Sequence, residues 1–276
     1  MTTSQPRRNA IILFFMLSYA ISWTAWLGMD VLWPADSPVS FLGSYGPALA
    51  ALLVAATSGG RAGLADLLAR LFTWRVSLLW YVIALGLSPL MAALLVGIAA
   101  LAGYLGADLP SAAHWSGVIL PQLPGLLLLG LIGVLVLIGE ELGWRGYALP
   151  ALQSRTGPLA SSVILGVLWG LWHLPTLLAD HMPARDIAFF VWGTTSASII
   201  YTWLASHTRG SVLIACLFHA AFDVVGILTP LIIPFREDLA FGLGMLVLAL
   251  TALAILALAG PTLHAWRTAH TPAGPA

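Results

Sequence analysis

Charged residues are scarce in this sequence. Only 8% of its 276 residues are Asp, Glu, Lys or Arg, whereas 60% are hydrophobic. A soluble globular protein carries about 25% charged residues, so this chain has too little polar surface to cover a water-soluble fold of its size. The composition therefore excludes an ordinary soluble protein. Because a chain that crosses lipid must pair its backbone polar groups internally, the apolar runs predict an all-α polytopic membrane protein.

Several other absences narrow the function. The formal net charge is zero, so the chain has no overall basic character that would indicate a nucleic-acid partner. Lysine is missing and all cations are arginine, which, with the richness in Ala, Leu and Gly, indicates a GC-rich bacterial genome. Cys216 is the single cysteine, which excludes an internal disulfide and predicts a small core residue. The H-E-x-x-H motif of zincins and the G-x-S-x-G motif of serine hydrolases are both absent.

Apolar runs of membrane-spanning length recur along the chain. A transmembrane helix needs roughly 20 apolar residues. The first run follows Arg7 and Arg8 and continues to Trp33, which is too long for the apolar region of a signal peptide, so we expect a retained helix. The sequence predicts about eight transmembrane helices, at about 9–33, 40–58, 79–103, 117–139 with a continuation to 153, 158–178, 186–206, 211–229 and 239–260.

The segment 59–78 differs from these spans. Its leucines at positions 64, 67, 68 and 71 fall on one helical face and arginines punctuate it, which predicts an interfacial amphipathic helix lying on the membrane. We interpret residues 1–276 as a single membrane domain. Within it, residues 117–230 hold the polar motifs described below, and residues 265–276 are expected to be a disordered tail.

Arginine placement predicts the topology. With eight spans and a cytosolic N-terminus, the cytosolic side holds nine of the eleven arginines, or eight without Arg145, which lies partly within the membrane. The outer side then holds Arg185 and Arg236. Arginine-rich loops face the cytosol in most membrane proteins. The asymmetry therefore predicts that both termini lie in the cytosol, and localisation is expected in the bacterial cytoplasmic membrane.

A few ionisable residues remain at membrane depth, where each charge costs roughly 2.5–3.5 kcal/mol on insertion scales. They fall on the predicted spans four, five and seven. Spacing of four residues predicts one pair within span four and one within span seven. Distances from the predicted cytosolic ends place all three sites roughly 15–22 Å deep. The residues are Glu140, Glu141, Arg145, His173, His219 and Asp223.

A carboxylate beside an imidazole in a pocket of low dielectric is suited to activating water. Two histidines with one carboxylate are also a plausible zinc site, with a fourth position left for water. A purely structural role is the alternative, since a membrane histidine often hydrogen-bonds between helices and a Glu–Arg pair often stabilises one. The tryptophans at positions 144, 169 and 172 are interpreted as interface or packing residues.

Three motifs in this region resemble those of the CAAX protease and bacteriocin-processing family of intramembrane proteases, which includes the type II CAAX prenyl endopeptidases. Gly139–Pro150 reads G-E-E-L-G-W-R-G-Y-A-L-P and contains the first motif, E-E-x-x-x-R. Trp169-x-x-x-His173 matches the second, in which the aromatic residue is usually Phe. His219-x-x-x-Asp223 matches the Asp variant of the third. The resemblance covers roughly residues 126–230.

The resemblance implies roles for these residues. Glu140 would activate the attacking water with help from His173, and Glu141 would position Arg145, so these four form the catalytic set. The metal, if one is used, would be Zn²⁺ held by His173, His219 and Asp223; otherwise His219 and Asp223 would stabilise the oxyanion. The implied partners are the lipid bilayer and a hydrophobic or lipidated peptide substrate.

Two other functional classes are compatible with these residues. A non-catalytic member could act as a bacteriocin immunity or scaffold protein, although its motifs would then be free to vary. An ion- or proton-coupled transporter would also bury Glu, Arg and His. Transporters often contain inverted repeats, whereas no repeat is visible here and the ionisable residues at depth lie only in the second half of the chain. The sequence therefore favours an endopeptidase.

Overall fold

The regular elements of the chain are all helical over the residues that a computed structural model describes, which are 8–32, 38–102, 111–232 and 237–263. Seven of the helices in these ranges are long and apolar enough to cross a membrane. The chain is therefore an all-α polytopic membrane protein, as predicted. In order the elements are α1 (Arg8–Leu32), a 3-10 helix (Pro38–Tyr45), α2 (Gly46–Leu71), α3 (Leu78–Leu101), α4 (Ala112–His114), a π-helix (Trp115–Ile119), α5 (Leu120–Glu141), a π-helix (Leu142–Ala148), α6 (Leu149–Thr156), α7 (Pro158–Trp172), α8 (Leu174–Ala179), α9 (Ala184–His207), α10 (Val212–Ile232) and α11 (Glu237–Ala259).

The fifth predicted span is the one that differs most from the sequence-based boundaries. A single helix is expected over 158–178, but α7 ends at Trp172 after 15 residues and α8 follows it. Pro175 explains the break, because proline has no N–H to bond the carbonyl four residues earlier. His173 lies at the junction of the two helices.

The end of the second predicted span, at residue 58, and the start of the predicted amphipathic helix, at residue 59, both fall within α2. The helix continues through Leu71, with a non-helical residue at Gly60 (φ 61°, ψ −151°) that separates the membrane-spanning part from the amphipathic part. A short turn then leads to Leu78. Placement of 59–78 on the membrane surface stays a prediction, as does the cytosolic position of the termini. The tail 265–276 lies outside the described residues.

A π-helix interrupts the long fourth span. The segment Leu142–Ala148 joins α5 to α6 without a break, so the chain is helical from Leu120 to Thr156. The wider turn of a π-helix inserts an extra residue into the helical register and is frequently found at functional sites. Arg145 lies within this segment, and the segment directly follows the two glutamates at the end of α5.

Glycines allow the helices around the site to approach closely. A Cβ atom at Gly143 would lie 2.4 Å from Pro47 Cβ on α2, and one at Gly166 would lie 2.4 Å from Thr195 Cα on α9. Any other residue at these positions would force the helices apart, as at small-residue contacts in membrane bundles. The N-terminal part of α5 instead leaves apolar side chains exposed, and these form a lipid-facing surface: Leu127, Leu128, Leu129, Leu131, Ile132 and Leu135.

Candidate active site

Glu141 and Arg145 form the predicted pair on the fourth span. Arg145 Nη1 donates to Glu141 Oε1 at 2.9 Å. Both side chains are buried, with relative exposures of 0% for Glu141 and 2% for Arg145. A buried charge is costly unless an opposite charge and hydrogen bonds compensate it. The contact therefore fixes the guanidinium at the centre of the helix bundle.

His219 on α10 joins the same carboxylate oxygen. His219 Nδ1 lies 2.8 Å from Glu141 Oε1, so with Glu141 ionised the proton of this bond is on the imidazole. His219 Nε2 lies 3.8 Å from Asp223 Oδ1, which is an ionic contact rather than a hydrogen bond. The Asp223 side chain is 52% exposed. The row of polar groups thus runs from a buried carboxylate to an accessible one.

Two aromatic rings enclose the Arg145 guanidinium. Its Cζ atom lies 3.6 Å from the centroid of the Tyr201 ring on α9 and 4.3 Å from that of Trp169 on α7. Cations are attracted to the electron-rich faces of aromatic rings, most strongly where water is excluded. Arg145 therefore links α7 and α9 to the π-helical segment as well as pairing with Glu141.

Glu140 faces a different partner from Glu141. The indole N–H of Trp169 donates to Glu140 Oε2 at 2.9 Å, and Glu140 is 6% exposed. Successive helical residues point about 100° apart, which accounts for the separation of the two carboxylates. A carboxylate has about four acceptor positions, so Glu140 retains acceptor capacity for a water molecule.

His173 also contacts Trp169, at the end of α7. Its Nδ1 lies 2.8 Å from the Trp169 carbonyl oxygen, and because a carbonyl only accepts, Nδ1 carries a proton. In the neutral ring Nε2 then holds the free lone pair. The imidazole is flanked by Trp172 at 4.7 Å and Phe190 at 5.1 Å between ring centroids. The site thus presents one carboxylate and one imidazole nitrogen that can accept a proton.

The predicted site residues lie close together in the structure, but the contacts between them differ from those that we predict from the sequence. Glu140 and His173 were predicted to meet, and among the described contacts they are connected through Trp169 rather than by a direct bond. The bond between Glu141 and His219 was not predicted. Trp144 and Trp172 are fully buried packing residues, as interpreted from the sequence.

The sequence reasoning missed the participation of Trp169 and Tyr201. Trp169 was interpreted as packing, but its indole N–H bonds a glutamate. Its spacing of four residues from His173 was the available signal, since such residues share a helix face. Tyr201 carries no comparable signal, because it lies on α9, which has none of the predicted ionisable residues at depth.

The predicted zinc ligands come from two parts of the site, with His173 at the end of α7 and the other two on α10. Among the described residues, no three His, Cys, Asp or Glu side chains are grouped so that they could hold a metal ion. One nitrogen of His219 is already bonded to Glu141. The described side chains therefore do not fit a zinc site in this arrangement. The ligand set of His173, His219 and Asp223 stays a prediction.

The chain is similar to a family model and to a curated protein. Residues 121–225 match the family model described as "Type II CAAX prenyl endopeptidase Rce1-like". A curated protein of Methanococcus maripaludis, "CAAX prenyl protease 2", is 36% identical over 89 residues, which cover 29% of this chain and 32% of that protein. The match thus spans about a third of the relative's length. The family-model match falls on the part of the chain that holds the site.

Proposed function

We propose that the protein is an intramembrane endopeptidase, because residues 121–225 match the family model of Rce1-like type II CAAX prenyl endopeptidases. It hydrolyses peptide bonds of membrane-associated or lipidated peptides with a water molecule activated by Glu140 and His173. One observation carries the proposal. Glu140 and His173 come from different helices, and both are held by Trp169 beside the buried Glu141–Arg145 pair.

The first step of the proposed reaction is attack by water. Glu140 accepts a proton from the water as its oxygen bonds to the scissile carbonyl carbon, and the carbonyl π electrons move to the oxygen. His173 Nε2 accepts a hydrogen bond from the same water and orients it. A general base positioned in this way contributes about 10²–10⁴-fold to a rate. The product of this step is a tetrahedral oxyanion beside a protonated Glu140.

The second step breaks the peptide bond. The oxyanion re-forms the carbonyl, the carbon–nitrogen bond breaks, and Glu140 returns its proton to the leaving nitrogen. His219 is the donor that we assign to the oxyanion. With Nδ1 bonded to Glu141, a protonated His219 also donates from Nε2, and the carboxylates of Glu141 and Asp223 favour that charged form. A preorganised donor of this kind is worth about 10²–10³-fold.

The membrane context restricts the substrate class. Exposed leucines on α5 are suited to contact with lipid, which supports a route for the substrate from the bilayer or its surface. The predicted topology places the reaction near the cytosolic leaflet of a bacterial membrane. We therefore propose hydrophobic or lipidated C-terminal segments, or membrane-spanning peptides, as substrates. Maturation, immunity and signalling are all roles that such cleavage serves.

The test is cleavage by purified protein in liposomes. A panel of fluorogenic peptides, with hydrophobic, lipidated and membrane-spanning members, is incubated with the wild-type protein and with Glu140→Gln. We expect cleavage by the wild type and loss of at least 99% of it in the variant, because Gln cannot accept the proton. Asp186→Asn, in an exposed ion pair, is the matched control and should cleave normally. Full cleavage by a well-folded Glu140→Gln variant would overturn the proposal.

The same liposomes distinguish the transporter alternative. Wild-type vesicles are loaded with a pH-sensitive dye and given a proton gradient or candidate ions. Uptake or proton flux that depends on Glu140, in the absence of cleavage of any panel peptide, would assign the chain to the transporters instead. A lack of both activities with folded protein would favour an immunity or scaffold protein.

A further inference from the structure

Trp169 contacts more of the candidate site than any of the predicted residues. Its indole N–H donates to Glu140 and its backbone carbonyl accepts from His173. The face of its ring lies 4.3 Å from the Arg145 guanidinium carbon. Its ring also packs at right angles to that of His219, with 5.6 Å between centroids. One residue therefore touches four of the six residues that the sequence places at membrane depth.

Trp169 differs from a phenylalanine at the same position by its larger fused ring and by the indole N–H, and of these only the N–H can donate a hydrogen bond. The ring face and the backbone carbonyl would both be present in Phe, which is the usual residue at this place in the motif that the sequence resembles. A phenylalanine would leave Glu140 without the donor. Packing of the ring therefore does not account for the contact between the N–H and Glu140.

Neighbouring tryptophans show that burial by itself does not require this bond. Trp172 lies three residues further along the chain and Trp144 lies on the π-helical segment, and both are fully buried. The indole nitrogens of these two residues have no hydrogen-bond partner among the described residues. The structure accommodates a buried indole without a partner at two adjacent positions, whereas at Trp169 the N–H is directed at a carboxylate.

We propose that Trp169 is a positioning residue of this site, whose indole N–H holds the Glu140 carboxylate ionised and oriented toward the attacking water. The kinetic effect of this bond rests on the proposed function, whereas the contact itself rests on the described geometry. A donor aimed at a carboxylate favours the ionised form and fixes the rotamer. The second oxygen of Glu140 is then presented to the water in a fixed direction.

The kinetic test compares Trp169→Phe with Trp144→Phe. Each substitution replaces a buried indole by a smaller aromatic ring and removes one N–H, but only the first removes a described hydrogen bond. A hydrogen bond to a charged group corresponds to roughly a 10- to 100-fold effect. We expect kcat to fall by that factor in Trp169→Phe with KM changed less than twofold. The acidic limb of its pH–kcat profile should move to higher pH, and Trp144→Phe should leave that profile in place.

A structural role for Trp169 predicts a different outcome. If the residue only fills space, both variants lose thermal stability and activity together, and neither changes the pH profile. Equal pH profiles for Trp169→Phe and the wild type would therefore overturn the proposal. Unfolding temperatures of both variants are measured in the same detergent, so that any difference in kcat is compared at equal folded fraction.

Nuclear magnetic resonance tests the contact without any activity. The protein is labelled with ¹⁵N-tryptophan, and the Trp169 indole resonance is assigned by its absence in Trp169→Phe. We expect Glu140→Gln to shift this resonance more than it shifts that of Trp172. An unshifted Trp169 resonance would overturn the proposed bond. If the wild type cleaves nothing while this shift is seen, the endopeptidase proposal fails and the contact stands.

Discussion

Glu141 and His219 lie 78 residues apart in the chain and are joined by a 2.8 Å hydrogen bond between Oε1 and Nδ1. The same oxygen accepts from Arg145, so a single atom of Glu141 connects α10 to the π-helical segment. Glu141 is fully buried, and its loss would leave a buried guanidinium without its carboxylate. Several of the expected properties of this protein depend on this arrangement.

Removal of Glu141 is expected to destabilise the protein strongly. Breaking a buried ion pair by deleting one partner costs about 3–5 kcal/mol, because the other charge is left uncompensated. We expect Glu141→Ala to lower the unfolding free energy by about that amount, measured by reversible denaturation in detergent or bicelles. Asp186→Ala, which removes an exposed ion pair with Arg185, is the control and should cost at most about 1 kcal/mol.

A double variant tests the cause of that loss. Replacing both members of a buried ion pair by apolar residues is often neutral, whereas removing one is not. We therefore expect Glu141→Ala combined with Arg145→Leu to be more stable than Glu141→Ala alone. If the double variant is instead less stable than the single one, the uncompensated charge is not the source of the loss.

Substitution of His173 is expected to affect activity more than folding. Its Nε2 is the nitrogen that carries the free lone pair, and the proposed reaction uses it to orient water. Cleavage by His173→Ala should fall by about 10²–10⁴-fold, as is usual when an acid–base group is removed. His181→Ala, at an exposed position outside the site, should retain wild-type cleavage. Near-normal turnover by folded His173→Ala would remove His173 from the mechanism.

The close contact at Gly143 predicts a steric effect. A Cβ atom there would lie 2.4 Å from Pro47, and overpacking a well-packed contact costs about 1–3 kcal/mol. Gly143→Ala should therefore be destabilised by at least that amount. Gly133→Ala is the matched control on α5, because no heavy atom lies within 4 Å of its added methyl group. There we expect no loss, or a gain of up to about 1 kcal/mol from higher helix propensity.

Metal removal tests the alternative ligand set. No three donor side chains are grouped for metal binding among the described residues, and our mechanism uses the chain's own groups. We expect cleavage to persist after extensive treatment with a chelator and to be unaffected by added zinc. Elemental analysis of the purified protein accompanies the assay. Near-stoichiometric zinc, together with chelator-sensitive cleavage that zinc restores, would replace this mechanism with a metal-dependent one.

The contacts within single helices were predictable from sequence spacing. Glu141 and Arg145 are four residues apart, so the periodicity of the helix alone brings them together, and the structure confirms that pair. His219 and Asp223 have the same spacing but are 3.8 Å apart, which shows that periodicity sets the shared face and not the distance. The all-α membrane fold was likewise predictable, because composition and apolar run length depend on the chain alone.

The contacts between helices were not predictable in the same way. Trp169 meets Glu140 because of the distance and rotation at which α7 packs beside the end of α5, which depend on the packing of the whole bundle. A small difference in helix rotation would direct the indole elsewhere, and no residue pattern in one sequence records that rotation. Tyr201 belongs to the same class, since its position against Arg145 depends on how α9 packs against the π-helical segment.

The shortness of α7 has a consequence for how this site obtains water. Its 15 residues extend about 22 Å, whereas the hydrocarbon core of a bilayer is about 30 Å thick. A helix shorter than the bilayer is accommodated by local thinning or by burying polar groups at its end, and His173 lies at that end. We expect the bilayer to be thinner around α7, which shortens the path that water must travel to the site. The length of α7 thus affects how readily water, which every peptide hydrolysis consumes, reaches the site.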